Sequence, residues 1–267
     1  MTAEVVERVR RSARYRDVDA AMLERLAGEE LPRSRTVDEA VKRVKRRLHQ
    51  AVGAFRGASR SRDLAAAWRG DLGDPAFREA CLDLMRTHAS TRERLPHLDR
   101  FYPGIWRRTG VPRRLLDLGC GLGPLALPWM EIGNATYHAV DADTRPLGTV
   151  EAALDLVGQP HRVEAVDLVR AVPSDVSADV ALLLKLVTTL DRQDPDAAAR
   201  LIGSLDVRHA AVSFTTRSLG GRDRGMERTY RRRVDRLIAD LGRVTDVTEA
   251  SVPNELVFVL ALGPHSG

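Results

Sequence analysis

Short strand-like runs alternate with helical stretches after Gly110, and this alternation constrains the fold more than any other feature of the sequence. The first five runs, rich in leucine and β-branched residues, lie at 114–119, 136–141, 161–167, 179–186 and 209–215. Strands separated by helices pair in parallel, because each helix returns the chain to the same end of the sheet. Two further runs, 244–250 and 255–262, flank a turn and are expected to pair as an antiparallel hairpin. The pattern predicts an α/β protein with a doubly wound sheet and a terminal antiparallel hairpin.

The first hundred residues are predicted to be helical. Apolar residues recur every three or four positions after Thr36, which places them on one face of a long helix. Thr36 and Glu39 form a capping box that would start this helix. Ser90 and Glu93 form a second capping box, which predicts one continuous helix from there towards Trp106.

Charge is segregated along the chain. Residues 1–62 carry 16 Lys or Arg against 9 acids, whereas residues 111–200 carry 8 against 13. Only three of the 42 basic residues are lysines. A GC-rich coding bias is an alternative explanation for this excess of arginine, but it does not explain why charge is segregated along the chain. The asymmetry favours a basic, helical nucleic-acid-binding domain, 1–109, followed by an α/β domain, 110–267. The candidate phosphate contacts lie on the helix after Thr36 and are Lys42, Arg43, Lys45, Arg46 and Arg47. The alternative is that these side chains only form a solvated face of the helix.

Cysteine usage and hydropathy exclude several classes of protein. The two cysteines, Cys81 and Cys120, are too few for a disulfide framework and indicate a reducing cytoplasm. Their spacing suits no metal site. The N-terminus mixes acids with arginines, and nowhere do 18 apolar residues run together. We therefore expect a cytoplasmic protein with neither a membrane partner nor a bound metal.

A glycine-rich turn follows the first predicted strand. The stretch LLDLGCGLGPLA places Asp117, Gly119, Gly121 and Gly123 at alternating positions. Glycines there let the backbone turn tightly and approach a ligand at the carboxyl edge of the sheet. The turn predicts a nucleotide-type pocket.

Two acids end the next two predicted strands. Asp141 could accept both hydroxyls of a ribose, and Asp167 with Leu168 could flank an adenine; the alternative is that these acids are only helix caps. The spacing DxGxGxG differs from the GxGxxG of nicotinamide enzymes, and a terminal antiparallel strand is more typical of class I methyltransferases than of dehydrogenases. The sequence therefore favours a Rossmann-like class I fold that binds S-adenosylmethionine, with Asp117 facing the amino acid part of the cofactor.

Six stretches between position 12 and position 227 are informative beyond this turn: SARYRDV, KRRLHQAVGAF, LMRTHASTRERLPHLDRFY, DLGCGLGPLALPWM, LLLKLVTTLDRQ and SFTTRSLGGRDRGME. The resemblance that they carry is to the 16S rRNA (guanine-N7) methyltransferases of the guanine 1405 type, which give aminoglycoside resistance. It implies methylation of 16S rRNA in the assembled 30S subunit by a monomer. In that family a helical N-terminal domain accompanies the methyltransferase domain.

The resemblance also implies roles for individual residues. Arg94 would bind the cofactor carboxylate, and Arg222 and Met226 would engage the target guanine. The other implied cofactor contacts are Phe55, His88, Ala89, Ser90, Gly119, Asp141, Asp167, Leu168, Leu184 and Gln193.

Guanine N7 carries a lone pair and no proton, so no residue is nominated as a catalytic acid or base. Two alternatives stay open from the residues alone. A small-molecule methyltransferase would lack salt-sensitive binding to ribosomal subunits. A non-catalytic RNA-binding protein with a methyltransferase fold would not bind S-adenosylmethionine.

Overall fold

Seven strands form one mixed sheet in this computed structural model, which describes residues 1–52, 64–216 and 223–264. The strands are β1 (Arg114–Leu118), β2 (Thr136–Asp141), β3 (His161–Ala165), β4 (Ser177–Leu184), β5 (Asp206–Thr215), β6 (Val244–Glu249) and β7 (Glu255–Leu262). Their order across the sheet is β3-β2-β1-β4-β5-β7-β6. The first five are parallel, and β7 is antiparallel to both β5 and β6. The predicted strands and the terminal hairpin are confirmed.

The helices precede the sheet and connect its strands. Before β1 lie α1 (Thr2–Arg10), α2 (Ala20–Glu30), α3 (Val37–Ala51), α4 (Leu64–Ala67), α5 (Pro75–Arg86), α6 (Ala89–Arg92) and α7 (Leu98–Thr109). Between and after the parallel strands lie α8 (Leu127–Met130), α9 (Thr144–Val157), α10 (Val187–Asp191), α11 (Ala197–Gly203) and α12 (Asp223–Leu241). Strand β4 is buried along most of its length, because helices cover both faces of the sheet.

The hydrophobic core divides nearer residue 52 than residue 109. Helices α1, α2 and α3 enclose their own cluster, in which Leu23, Leu26 and Leu48 are fully buried. Helices α5 and α7 instead pack on the sheet, where Phe101 joins Tyr137 in one cluster. Helices α5 and α7 share the core of the sheet because it covers their apolar faces. The domain boundary at residue 109 stays a prediction.

The two capping boxes have different outcomes. The Thr36 side chain accepts a hydrogen bond from the Glu39 N–H at 3.2 Å, so the predicted start of α3 is confirmed. The predicted continuous helix from Ser90 to Trp106 is wrong, since α6 ends early and α7 begins at Leu98 after a short 3₁₀ turn. Pro96 lies in that turn and lacks the N–H that an unbroken helix requires.

Candidate cofactor-binding site

A cleft of about 720 Å³ opens at the carboxyl ends of β1, β2 and β4. Ligands of doubly wound sheets bind at this edge, where neighbouring connections leave on opposite faces. The cleft therefore lies where the sequence predicts a nucleotide pocket.

The turn after β1 forms one wall of the cleft and requires glycine at two positions. Gly119 and Gly121 have φ values of 66° and 51°, which L side chains rarely adopt. A Cβ atom on Gly119 would lie 2.8 Å from a methyl of Leu186, and one on Gly121 would lie 2.8 Å from Cε1 of His88. The glycines thus let His88 and Leu186 approach the turn closely.

Asp141 ends β2 beside this turn and lines the cleft. Its carboxylate accepts hydrogen bonds from the backbone N–H of Gly121 at 2.8 Å and of Asp143 at 2.9 Å. Burial raises the pKa of Asp141 to about 6, against the opposing effect of these N–H groups. At neutral pH the group is therefore largely an oriented anion, suited to accept hydroxyl hydrogen bonds.

Asp117 lies behind the turn and does not line the cleft. Its side chain is buried and accepts a hydrogen bond from the Tyr137 hydroxyl at 2.6 Å. Burial raises the pKa of Asp117 to about 6. This hydrogen bond joins Asp117 to β2, and its predicted contact with the cofactor stays a prediction.

Asp167 lines another part of the cleft and is paired with an arginine from α2. Arg25 Nε lies 2.5 Å from one carboxylate oxygen of Asp167, and Arg25 Nη2 lies 3.1 Å from the other. The same Nη2 donates to Gln193 Oε1 at 2.9 Å. Sequence reasoning missed Arg25, because 142 residues separate it from Asp167 and no local motif marks it.

Arg94 is not among the residues that line the cleft. Its guanidinium is 3% exposed and donates to both carboxylate oxygens of Glu255, at 2.7 and 3.1 Å. Despite burial, Arg94 and Lys185 hold the pKa of Glu255 below its usual value. Glu255 begins β7 and is a buried carboxylate that requires a cationic partner. A direct contact of Arg94 with the cofactor stays a prediction.

Lys185 follows β4, lines the cleft and was missed by sequence reasoning. Its ammonium donates to the Ser90 carbonyl at 2.9 Å and to Glu93 at 2.7 Å, and its φ is 62°. Glu93 therefore binds Lys185 and not the start of a helix. The unusual KL pair inside an otherwise apolar run was the available signal, since a lysine there must find a buried anion.

The structure brings eight predicted cofactor contacts to the cleft: His88, Ser90, Gly119, Asp141, Asp167, Leu168, Leu184 and Gln193. Ala89, Arg94 and Asp117 are not among its lining residues, and Phe55 falls outside the described residues. The N-terminal helices contribute further lining residues that the sequence did not reveal, namely Met22, Ala51 and Val52.

The predicted cationic face of α3 is smaller than five residues. Arg43 Nε donates to Glu30 at 2.8 Å, and Arg47 Nη1 lies 2.6 Å from Glu29. These acids belong to α2, so a count along α3 alone could not include them. Lys42 and Arg46 are exposed and Lys45 is half-buried, and the described part of the chain places no acid in an ion pair with any of the three.

The predicted target-binding residues fall at the edge of the described chain. Met226 is half-buried near the start of α12, and Arg222 lies outside the described residues. Their contact with a guanine stays a prediction. Among the described residues, every helix is too short or too polar to cross a membrane.

Five parallel strands, an antiparallel β7 inserted beside β5, a glycine turn after β1 and an acid at the end of β2 define a class I methyltransferase. Comparison with known proteins narrows this class. Residues 11–259 match the family described as "Ribosomal RNA methyltransferase (FmrO)", and the chain belongs to that family.

Individual relatives agree with this membership over nearly the whole chain. The chain is 41% identical to the 16S rRNA (guanine(1405)-N(7))-methyltransferase of Frankia casuarinae, covering 96% of this chain and 92% of the relative. It is 39% identical to the enzyme of that name from Micromonospora echinospora, covering 96% and 95%. The crystal structure of the 16S rRNA methyltransferase RmtF in complex with S-adenosyl-L-homocysteine is similar at a TM-score of 0.82 and 34% identity, covering 98% of each chain.

Proposed function

We propose that this protein transfers a methyl group from S-adenosylmethionine to N7 of guanine 1405 in 16S rRNA and thereby confers aminoglycoside resistance. Family membership over residues 11–259 carries the proposal, and the relatives from Frankia casuarinae and Micromonospora echinospora are named for this activity. The enzyme acts as a monomer in the cytoplasm, on the assembled 30S subunit.

The cleft residues fit S-adenosylmethionine. Gly119 lines the cleft at a positive φ and carries no side chain, which suits close approach of a ligand to its backbone. Asp141 would hold the ribose hydroxyls, and Asp167 with Leu168 would hold the adenine. We expect Phe55, Ala89, Arg94 and Asp117 to provide further contacts with the cofactor.

The methyl transfer requires the protein mainly to align guanine N7 with the methyl group of the cofactor. Guanine N7 attacks with its own lone pair, so no general base is required. S-adenosylmethionine supplies an electrophilic methyl group when bound. The chain's task is to orient the two reactants and to exclude water, for which Asp141 is already fixed by two backbone N–H groups.

Recognition of the target depends on RNA shape and charge. N7 faces the deep, narrow major groove of an A-form helix, which side chains cannot enter, so the target nucleotide is displaced or lies in a distorted helix. Lys42 and Arg46, exposed on α3, would anchor the rRNA through its phosphates. Arg222 and Met226 would engage the displaced guanine.

Purified 30S subunits and S-adenosylmethionine with a labelled methyl group test this proposal. We expect label in the 16S rRNA of intact subunits and not in protein-free rRNA, because the enzyme requires the folded subunit. Labelling should fall at least tenfold with Asp141→Asn if its ribose contacts are worth about 1.4 kcal/mol. Transfer of label to a small molecule, with none in rRNA, would contradict the proposal.

A further inference from the structure

We propose that Arg25, on the N-terminal helix α2, is a positioning residue that fixes the Asp167 side of the cofactor cleft. This inference rests on the proposed use of S-adenosylmethionine, and it assigns part of the cofactor site to a helix outside the sheet.

The contacts of Arg25 join two separate lining segments. Its guanidinium spans both carboxylate oxygens of Asp167, and its Nη2 also donates to the Gln193 amide oxygen at 2.9 Å. Asp167 follows β3 and Gln193 follows α10, so only Arg25 among the described residues bridges these two side chains through hydrogen bonds. A planar guanidinium fixes the orientation of both groups in a way that a single ammonium cannot.

The ion pair between Arg25 and Asp167 is buried, so its loss would leave a carboxylate without a partner away from water. The Asp167 side chain is 4% exposed and that of Arg25 is 10% exposed. A buried carboxylate that loses its ionic partner becomes costly and reorients towards water or another cation. Arg170 is the nearest alternative cation in sequence, yet it is 55% exposed and contacts Glu29 and Asp194 instead.

Arg25 is itself held from the N-terminal side. Its Nη1 lies 3.4 Å from Glu29, whose other oxygen is 2.6 Å from Arg47 on α3. The segment before α2 is fixed to the loop after β2, since the Asp19 N–H donates to the Ala142 carbonyl at 2.8 Å. These contacts attach the helix that carries Arg25 both to α3 and to the loop after β2.

Calorimetric titration of S-adenosylmethionine into the full-length protein, without RNA, tests the proposal. We expect Arg25→Met to raise the cofactor Kd about tenfold or more, and Arg25→Lys to raise it less, because lysine keeps the charge but not the fork. In 30S methylation, Arg25→Met should raise the KM for the cofactor while kcat at saturation stays within about threefold. Arg170→Met is the matched control, which removes an arginine near Glu29 and should leave the Kd within about twofold.

A double-mutant cycle separates positioning from a general structural role. In an Asp167→Asn background, Arg25→Met should raise the Kd by a smaller factor than in the wild type, because only the contact with Gln193 is left to lose. Unchanged cofactor affinity in folded Arg25→Met, or effects of Arg25→Met and Asp167→Asn that simply multiply, would overturn the proposal. Since these titrations contain no rRNA, their failure would leave the rRNA assignment standing.

Discussion

At the residue scale, the turn after β1 depends on glycine for two separable reasons. Gly121 combines a positive φ with a close approach to His88, whereas Gly158, at the end of α9, has φ of 69° and open space around its Cβ position. Substitution of either glycine would therefore strain the backbone, but only a side chain at Gly121 would also clash with a neighbouring residue.

Substitution by alanine distinguishes these causes. Gly121→Ala and Gly158→Ala should each lower the free energy of unfolding by about 1 kcal/mol, because alanine is strained at positive φ. Only Gly121→Ala should also weaken S-adenosylmethionine binding, since its Cβ would displace the cleft residue His88. Thermal unfolding and calorimetry measure the two effects, and equal loss of cofactor affinity in both variants would contradict this view.

The pKa of Asp117 predicts how stability depends on pH. Burial raises this pKa to about 6, from an ordinary value of 3.8, so the native protein binds the proton more tightly than the unfolded chain does. The stability this group contributes is fully present below pH 3.8 and is lost as the pH rises through about 6.

Asp117→Asn removes the charge and keeps an oxygen that can accept from Tyr137. The variant should exceed the wild type in unfolding free energy at pH 7.5 by on the order of 2 kcal/mol, and this advantage should disappear near pH 4. Chemical denaturation at both pH values measures it. An advantage that is independent of pH would show that the substitution acts through packing and not through the charge.

At the element scale, local sequence patterns predicted the strands correctly. They failed where the structure depends on contacts between residues that are distant in the sequence. The runs that became β1, β2, β4, β5 and β7 are rich in apolar residues and lie between turn signals, which is the pattern of buried strands. Strands β3 and β6 are more polar and lie at the two edges of the sheet. The helix predicted from Ser90 failed partly for a distant reason, since Glu93 binds Lys185 and does not cap the helix, and partly for a local one, since Pro96 interrupts it. Arg25 was invisible, since its partners Asp167 and Gln193 come together only after folding.

Helix α3 shows the same limit for surface charge. Its arginines seemed free in the sequence, yet Arg43 and Arg47 face acids of α2, and the Glu30 side chain they share is 6% exposed. Lys42 and Arg46 remain exposed. The helix therefore carries two kinds of cation, one that stabilises the fold and one that is accessible to phosphates.

Paired variants of α3 should separate these roles. Lys42→Glu with Arg46→Glu should weaken 30S binding and reduce its dependence on salt concentration, with unfolding free energy changed by less than about 0.5 kcal/mol. Arg47→Met should instead lower the unfolding free energy by about 1–3 kcal/mol, because it leaves Glu29 and Glu30 short of a partner. Binding titrations at 50 and 200 mM salt and denaturant unfolding provide the measurements. Unchanged 30S binding in the first variant would refute the role of α3.

At the scale of the whole molecule, the cleft is shared between the sheet and the N-terminal helices. The sheet supplies the glycine turn and the acids, and the N-terminal helices supply the lining residues Met22 and Ala51 and, through its contact with Asp167, Arg25. The same N-terminal helices carry the exposed cations Lys42 and Arg46. One small cluster of helices thus faces the cofactor cleft on one side and is predicted to face rRNA on another. The same helices would then contribute to binding of both the cofactor and the RNA substrate.

Mapping the methyl group in 16S rRNA from cells that express the protein tests the central claim most directly. Borohydride reduction and aniline cleavage at N7-methylguanine, followed by primer extension, should give a stop at guanine 1405 with the wild-type protein. The stop should be lost or strongly reduced in cells that express the Asp141→Asn variant. Cells that express the wild-type protein should tolerate aminoglycosides. A stop at a different nucleotide, or none while folded wild-type protein accumulates, would contradict the assignment.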